Sequence, residues 1–342
     1  MISFVFVTIL FLLFFLITKK IEFLSKNLID KDFKKIQSFH TEAIARMGGI
    51  LVITTILIIY LLHFFKNENI TFLVLMGLIN FILGFLDDLK IVVSPIKRFT
   101  MIIVTNLLLI VFFNFSIISF EIFILDYLNK IYFFKVLLVL MAIFFIINGS
   151  NLIDGFNGLL SIHSTLIFSI LLFFNENYIL DTYNISLYLK FLILISIIFT
   201  FLNFPKARIF MGDGGAYFLG SQMAIISIFI SNNSNIISPI FIAIILSYLF
   251  FEIFFSVFRK ILEKKSPFFP DRNHLHMLIH DKIKNFTEFS NPITSLIINL
   301  FYLILIIPSF LFFDNSNYCF YYFILLLLIY LITYINLRRA AR

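Results

Sequence analysis

The chain is a succession of long apolar runs, and that pattern constrains its fold more than any other feature. Eleven stretches can be marked: 2–18, 47–65, 70–86, 99–115, 131–147, 159–174, 185–202, 216–231, 236–258, 292–313 and 318–337. A helix of about 20 apolar residues crosses the hydrocarbon core of a bilayer. Helices and closed barrels are the structures that satisfy their own backbone there. The expected fold is therefore an all-α polytopic membrane protein with about eleven transmembrane helices. It forms one integral membrane domain over residues 1–342. The first run has no basic residue between Met1 and Phe6 and no small-residue cleavage site, and Lys19-Lys20 follow it. It reads as a retained span, not a cleaved signal.

Composition closes the alternatives. Hydrophobic residues are 61% of the 342 and charged residues 13%. A soluble surface built from that mixture would be covered with apolar patches. Disorder is excluded on the same ground. The single cysteine, Cys319, excludes a disulfide scaffold and a thiolate zinc site.

The formal charge of +7 raises the question of nucleic acid, and the placement of the basic residues answers it. Of the 26 Lys and Arg, 22 lie in the loops after the odd-numbered runs and in the C-terminal tail. The other four are Lys66, Lys130, Lys135 and Lys190. Basic loops stay in the cytoplasm. The N-terminus is expected outside and the C-terminus inside. The charge is a topology signal and an attraction to anionic membrane lipid, with no nucleic-acid partner implied.

The unusual polar residues fall in four of those cytoplasmic loops. The first is Asp87-Asp88, two adjacent carboxylates at a span end, with Lys90 and Lys97 following. Alone, the pair reads equally as a hydrated helix end or as a metal or phosphate site. The second runs from Asn148 to Leu159, with Asn148, Asn151 and Asp154 at i, i+3 and i+6. On a helix they share a face, and oxygen-bearing side chains in a row suit a hard cation or a nucleoside. The third is Pro205 to Gly215, where glycines flank Asp213 just before a span. Backbone N–H groups and a helix N-terminus there are expected to approach an anion, although Asp213 can equally cap the span. The fourth is Lys264 to Met277, a proline-stiffened loop presenting Arg272, His274 and His276. His163 and Glu252, inside spans, read as packed or interfacial residues. Carboxylates gathered beside cations at one membrane face suggest Mg²⁺ shared between side chains and substrate phosphates, and hence a diphosphate site. A transporter would place such groups nearer the bilayer midplane.

These loops, with His40-Thr41-Glu42-Ala43-Ile44-Ala45-Arg46-Met47-Gly48-Gly49, resemble the polyprenyl-phosphate N-acetylhexosamine-1-phosphate transferases. That bacterial family includes the WecA, TagO and MraY enzymes. The resemblance covers about residues 40–280, and Pro270 to His276 looks like the WecA branch. It implies transfer of a sugar 1-phosphate from a UDP-N-acetylhexosamine to undecaprenyl phosphate at the cytoplasmic face of the bacterial inner membrane. Release of UMP would start a surface glycan. By resemblance Asp87, Asp88 and Asp213 are catalytic, and Asp213 with Asn151 holds Mg²⁺, for which Mn²⁺ can substitute. Lys97 would bind a phosphate, Asp154 would help hold the nucleotide, Asn148 and Asn157 would bind substrate, and Phe210 would stack on uracil. Arg272, His274 and His276 would hold the diphosphate or sugar. Three positions depart from the family pattern: Ala45 for a proline, Asn157 for an aspartate and Met277 for a third histidine. Alternatives are a phospho-muramoyl-pentapeptide transferase, a cation-coupled transporter and a catalytically silent homologue. Homodimerisation through spans is compatible with such a chain, and no residue marks an interface.

Overall fold

The computed structural model describes residues 2–20, 28–30, 44–62, 67–91, 94–179, 184–267, 269 and 271–339. His40 to Ala43 of the first motif and Pro270 of the last lie outside the described residues. The apolar runs fold as helices. In chain order they are α1 (Ile2–Lys20), α2 (Gly48–Leu61), α3 (Glu68–Asp88), α4 (Pro95–Phe112), α5 (Phe123–Asn129), α6 (Tyr132–Ile153) and α7 (Leu159–Tyr178). There follow α8 (Ile185–Asn203), α9 (Gly212–Asn233), α10 (Pro239–Ile245), α11 (Ser247–Leu262), α12 (Leu275–Ile283), α13 (Ser290–Ile306) and α14 (Ser316–Arg339). A short antiparallel pair, β1 (Ile29–Asp30) with β2 (Ile44–Ala45), precedes α2.

Eight of these helices are long and apolar enough to cross a membrane: α3, α4, α6, α7, α8, α9, α13 with its 3-10 extension to Leu311, and α14. The pair α10 and α11, bent by 75° at Leu246, makes a ninth candidate when the two are taken as one broken span. Two shorter apolar helices, Val5–Leu16 and Gly48–Leu61, answer the two remaining runs of the sequence. The chain is a nearly all-helical, multi-pass membrane protein. Large apolar side chains such as Phe112, Phe123, Phe201 and Leu311 stand exposed on its outside, the surface a bilayer accepts.

At the centre is α9, buried over 89% of its spanning window, whereas α14 is buried over 22%. Small residues explain the difference. Lipid tails are as apolar as side chains, so close backbone approach stabilises helix pairs in a membrane. A Cβ at Gly49 would collide with the backbone of Gly215, and one at Gly84 with the backbone of Asp213. At Gly220 it would meet Cα of Ile147 at 2.8 Å. Thus α2, α3 and α6 all reach the backbone of α9 through glycines.

Buried polar pairs hold the bundle in register. Asn80 on α3 and Asn106 on α4 exchange amide hydrogen bonds of 3.1 and 2.9 Å. Gln222 on α9 accepts from Tyr188 at 2.8 Å and donates to the Leu73 carbonyl at 3.0 Å. At the α10–α11 break the Tyr302 hydroxyl donates to the Ile245 carbonyl at 2.8 Å. That bond partners a carbonyl beside the break, as buried backbone requires.

Candidate active site

The site forms where the C-terminal ends of α3 and α6 meet the N-terminus of α9. The loop before α9 is pinned first. Gly48 and Gly49 donate their N–H groups to the carbonyls of Phe210 and Met211, both at 2.8 Å, and Phe210 donates to Ala45 at 2.9 Å. This ladder joins the motif that ends at Gly49 to the Pro205–Gly215 loop and brings Arg46 beside Asp88, with Nη1 3.6 Å from Oδ1. At Gly212, φ is +78°, a left-handed conformation suited to glycine. A Cβ there would lie 2.7 Å from Asp88 Oδ2.

Asp88 and Asp87 point to different places. Asp88 is turned inward, its side chain 2% exposed. Its Oδ1 accepts the Asp213 N–H at 3.0 Å and its Oδ2 the Gly214 N–H at 2.9 Å. The positive end of the α9 dipole and its first amides are thereby satisfied by a carboxylate. Two of the amides that the sequence offered to an anion are met by Asp88 of the chain itself. Asp87 and Asp213 are the outward pair, 19% and 22% exposed, within hydrogen-bonding reach of each other. Arg98 spans them, with Nη1 2.6 Å from Asp87 Oδ2 and 3.8 Å from Asp213 Oδ2.

From α6, Asn151 donates its amide to Asp213 Oδ1 at 2.8 Å. Asp154 caps the same helix and couples to Asp213, Arg46 and Asp88. Burial, with Asp213 beside it, pushes the Asp154 carboxyl well above the usual carboxylate range, although Arg46 and the Gly212 amide pull the other way. Asn151 and Asp154 thus converge as their spacing predicts, whereas Asn148 turns back to its own helix and donates to the Phe144 carbonyl at 2.8 Å.

The histidine loop is held from inside the bundle. Glu252, buried in α11, lies 3.2 Å through Oε2 from His274 Nδ1 and accepts the Leu275 N–H at 3.2 Å. Its Oε1 is 3.7 Å from His276 Nδ1. On the other side, His274 Nε2 is 3.3 Å from Asp271, which Arg259 holds at 2.7 Å. Burial opposes ionisation of Asp271, yet the Arg259 hydrogen bond and the His274 and Arg259 charges keep its carboxyl below the usual range. Phe156, two residues after Asp154, packs edge-on against His276. That contact ties the histidines to the acid cluster.

Lys97 is exposed, Arg208 and Arg272 are exposed, and Phe210 is half-buried beside the pinned loop. Asn157 donates its amide to the Pro205 carbonyl at 3.0 Å and its N–H to Asn291 at 2.8 Å, clamping two loops together. Met277 is buried in the core. Two of the three departures, Asn157 and Met277, thus make contacts within the fold. His163, read as a packed residue, is fully buried with Nδ1 3.1 Å from Asn299. Sequence reasoning did not single out Arg46 or Arg98, and Glu252, which it read as a packed or interfacial residue, is buried at 1% exposure. Arg46 and Arg98 sat inside motifs already marked, and Glu252 was a lone acid in an apolar run, itself a signal of function.

Among the described residues no three His, Cys, Asp or Glu side chains form a metal cage. The donor set near Asp213 is two contacting carboxylates and an amide, the size of set that serves Mg²⁺ when substrate phosphates complete its shell.

The fold and site define a multi-pass membrane protein with an acid cluster, bridged by arginine, at one end of its bundle. Residues 70–231 match the model of glycosyl transferase family 4. The undecaprenyl-phosphate alpha-N-acetylglucosaminyl 1-phosphate transferase of Thermotoga maritima is 29% identical over 267 residues, 78% of this chain and 75% of that protein. A probable undecaprenyl-phosphate N-acetylglucosaminyl 1-phosphate transferase of Bacillus subtilis is 32% identical over 136 residues, 38% and 36% of the two chains. A phospho-N-acetylmuramoyl-pentapeptide-transferase of Dictyoglomus turgidum is 32% identical over 199 residues, 53% and 58%. Over residues 70–231 the chain is similar to glycosyl transferase family 4, the likeness its motifs led us to expect.

Proposed function

We propose that the chain transfers N-acetylhexosamine 1-phosphate, taken first as GlcNAc 1-phosphate, from a UDP-sugar to undecaprenyl phosphate. A phosphate oxygen of the lipid attacks the sugar-bearing phosphorus. The bridging P–O bond to the other phosphate breaks, UMP leaves, and a lipid-linked diphosphosugar forms. The observation that carries this reading is the outward pair Asp87 and Asp213 spanned by Arg98. One substrate is a membrane lipid and the other is water-soluble, so a site where three helix ends meet suits both.

The nucleophile is already anionic at neutral pH. The barrier is charge repulsion and alignment, which fixed cations and positioned donors reduce. Arg98 and Arg46 supply fixed positive charge beside the carboxylates. Asp88 positions Asp213 by binding the backbone at the start of α9. Asp213, Asn151 and Asp87 are the residues suited to hold Mg²⁺, with Mn²⁺ as a substitute. When bound, the metal would neutralise the phosphates in transfer. Asp154, Asn148 and Asn157 are assigned to the nucleotide side, with Phe210 for the base and Lys97 for a phosphate. Arg272, His274 and His276 are assigned to the diphosphate or sugar.

The reading extends to the setting. Eleven spans put the site on the cytoplasmic face of the bacterial inner membrane, and the product begins a surface glycan. The Dictyoglomus relative keeps muramoyl-pentapeptide transfer as the second reading.

The test is transfer in membranes containing the full chain, with labelled UDP-GlcNAc, undecaprenyl phosphate and Mg²⁺. Lipid-soluble label and UMP are followed together. Product that requires both metal and Asp213, shown by EDTA and Asp213→Asn, supports the proposal. Transfer from the muramoyl nucleotide alone supports the second reading. Folded protein that releases no UMP from either donor rejects both.

A further inference from the structure

Away from the acid cluster, α11 and the last turn of α14 enclose a groove of about 310 Å³. Its walls combine apolar side chains, Phe258, Leu262 and Ile335, with three arginines, Arg259, Arg338 and Arg339. We propose that this groove binds an anionic phospholipid, with the lipid phosphate on the arginines and an acyl chain along the apolar wall.

Three observations carry it. The first is Arg259. Its side chain is only 4% exposed, and although Nη1 lies 2.7 Å from Asp271, Nε and Nη2 have no hydrogen-bond partner among the described residues. Leaving buried donors of a charged group unmet is costly. A guanidinium presents those donors as a planar fork that fits phosphate oxygens.

The second is charge balance. Glu263 is the acidic residue of the lining, and it pairs with Arg338 at 2.6 Å and lies 3.9 Å from Arg259. Asp271 holds Arg259 from outside the lining at 2.7 Å, so two carboxylates meet three guanidinium groups and the groove keeps an excess of one positive charge, which favours a ligand with net negative charge.

The third is position. Arg338 and Arg339 end the spanning helix α14, the level at which lipid headgroups meet basic side chains. Phe258, Leu262 and Ile335 are 51%, 68% and 43% exposed, facing outward. Free phosphate would have no use for that apolar wall. A diacyl lipid has one at hand in the surrounding bilayer. The proposal rests on the membrane-spanning reading and is independent of the transfer reaction.

The experiment is native mass spectrometry of the purified full chain, titrated separately with phosphatidylglycerol and phosphatidylcholine and followed by thermal melting. Phosphatidylglycerol is expected to be retained at least tenfold more tightly. The double variant Arg338→Gln/Arg339→Gln is expected to lose that preference, and the milder Arg339→Gln to weaken it. Lys282→Gln/Lys284→Gln, which removes charge elsewhere on the same loop side, should leave it intact. Equal retention of the two lipids would overturn the proposal, as would an undiminished preference in a folded double variant. Inorganic phosphate competing as well as phosphatidylglycerol at equal concentration would also overturn it, in favour of a simple phosphate site. Because the readout is lipid retention, transferase failure and lipid-site failure remain separate results.

Discussion

Asp88 grips the first turn of α9 at Asp213 itself, accepting the Asp213 N–H at 3.0 Å and the neighbouring Gly214 N–H at 2.9 Å. One member of the adjacent acid pair therefore places the other helix's carboxylate, while Asp87 faces outward. An amide in place of Asp88 keeps one acceptor oxygen and loses the charge. Hydrogen bonds to charged groups contribute about 1.5–3 kcal/mol each. Asp88→Asn is expected to lower stability by about 2 kcal/mol and to reduce transfer strongly. Thermal melting in detergent and the UMP-release assay check both. Normal activity together with a normal melt would show that the grip on α9 is dispensable.

Arg98 sits between two contacting carboxylates. Arg98→Gln leaves those charges facing each other with one fixed cation fewer. Transfer is expected to fall about 100-fold, the scale set by loss of one electrostatic donor at a reacting group. Affinity for Mg²⁺ is expected to rise, because a competitor for the same oxygens is gone. Titration calorimetry measures the second effect apart from the first. Unchanged turnover would remove Arg98 from the mechanism.

Glu252 anchors His274 and the Leu275 amide from within an apolar span. Glu252→Gln is nearly isosteric but withdraws the charge facing two imidazoles. The expected result is a fall in transfer of about 10–100-fold, the equivalent of one to two charge-assisted bonds of about 1.5 kcal/mol. It should appear mainly as a raised KM for the nucleotide sugar. A loss confined to expression level, with normal kinetics in the folded fraction, would make Glu252 purely a packing residue.

Much of this was legible in the sequence, and the gaps have physical causes. Hydropathy located the helices, since lipid demands long apolar runs. It did not reveal which helix is central: α9 is the least apolar of the eight full-length candidate spans and the most buried. Its burial follows from glycines, and those matter only in relation to Gly49 and Gly84 on other helices. The i, i+3, i+6 spacing correctly joined Asn151 and Asp154 to one site. Asn148, the third residue of that row, gives its amide to the Phe144 carbonyl of its own helix. Arg98, next to Lys97, drew no attention in the sequence. Which neighbour faces Asp87 depends on the rotation of α4, and loop sequence does not encode that.

The glycine contacts give a direct test of the packing. Gly84 lets α3 touch the backbone of Asp213, and a methyl group there must move α3 or α9. Overpacking of this kind costs about 1–3 kcal/mol, and here it would displace the acid cluster as well. Gly84→Ala is expected to lower the melting temperature and abolish transfer. Ala142→Gly, on the partly buried side of α6, should cost about 1 kcal/mol through helix propensity alone and leave transfer near normal. Equal kinetics for the two variants would argue against a close α3–α9 contact.

Acid should weaken the ion pairs around Glu263 and Asp271 in a defined window. Hydrogen bonds from Lys265 and Arg338 hold the Glu263 carboxyl down at about 2, and Asp271 is held low against the effect of its burial by Arg259 and His274. A carboxyl with a depressed folded-state pKa contributes stability above its unfolded value, about 4. That stability is lost as the pH falls through the folded value. Melting temperature is therefore expected to be flat with respect to these groups above about pH 5 and to decline from about pH 4 towards 2. Glu263→Gln should flatten part of that decline and lower the plateau above it. An acid limb identical in wild type and variant would mean that the Glu263–Arg338 pair contributes nothing measurable, as many exposed pairs do not.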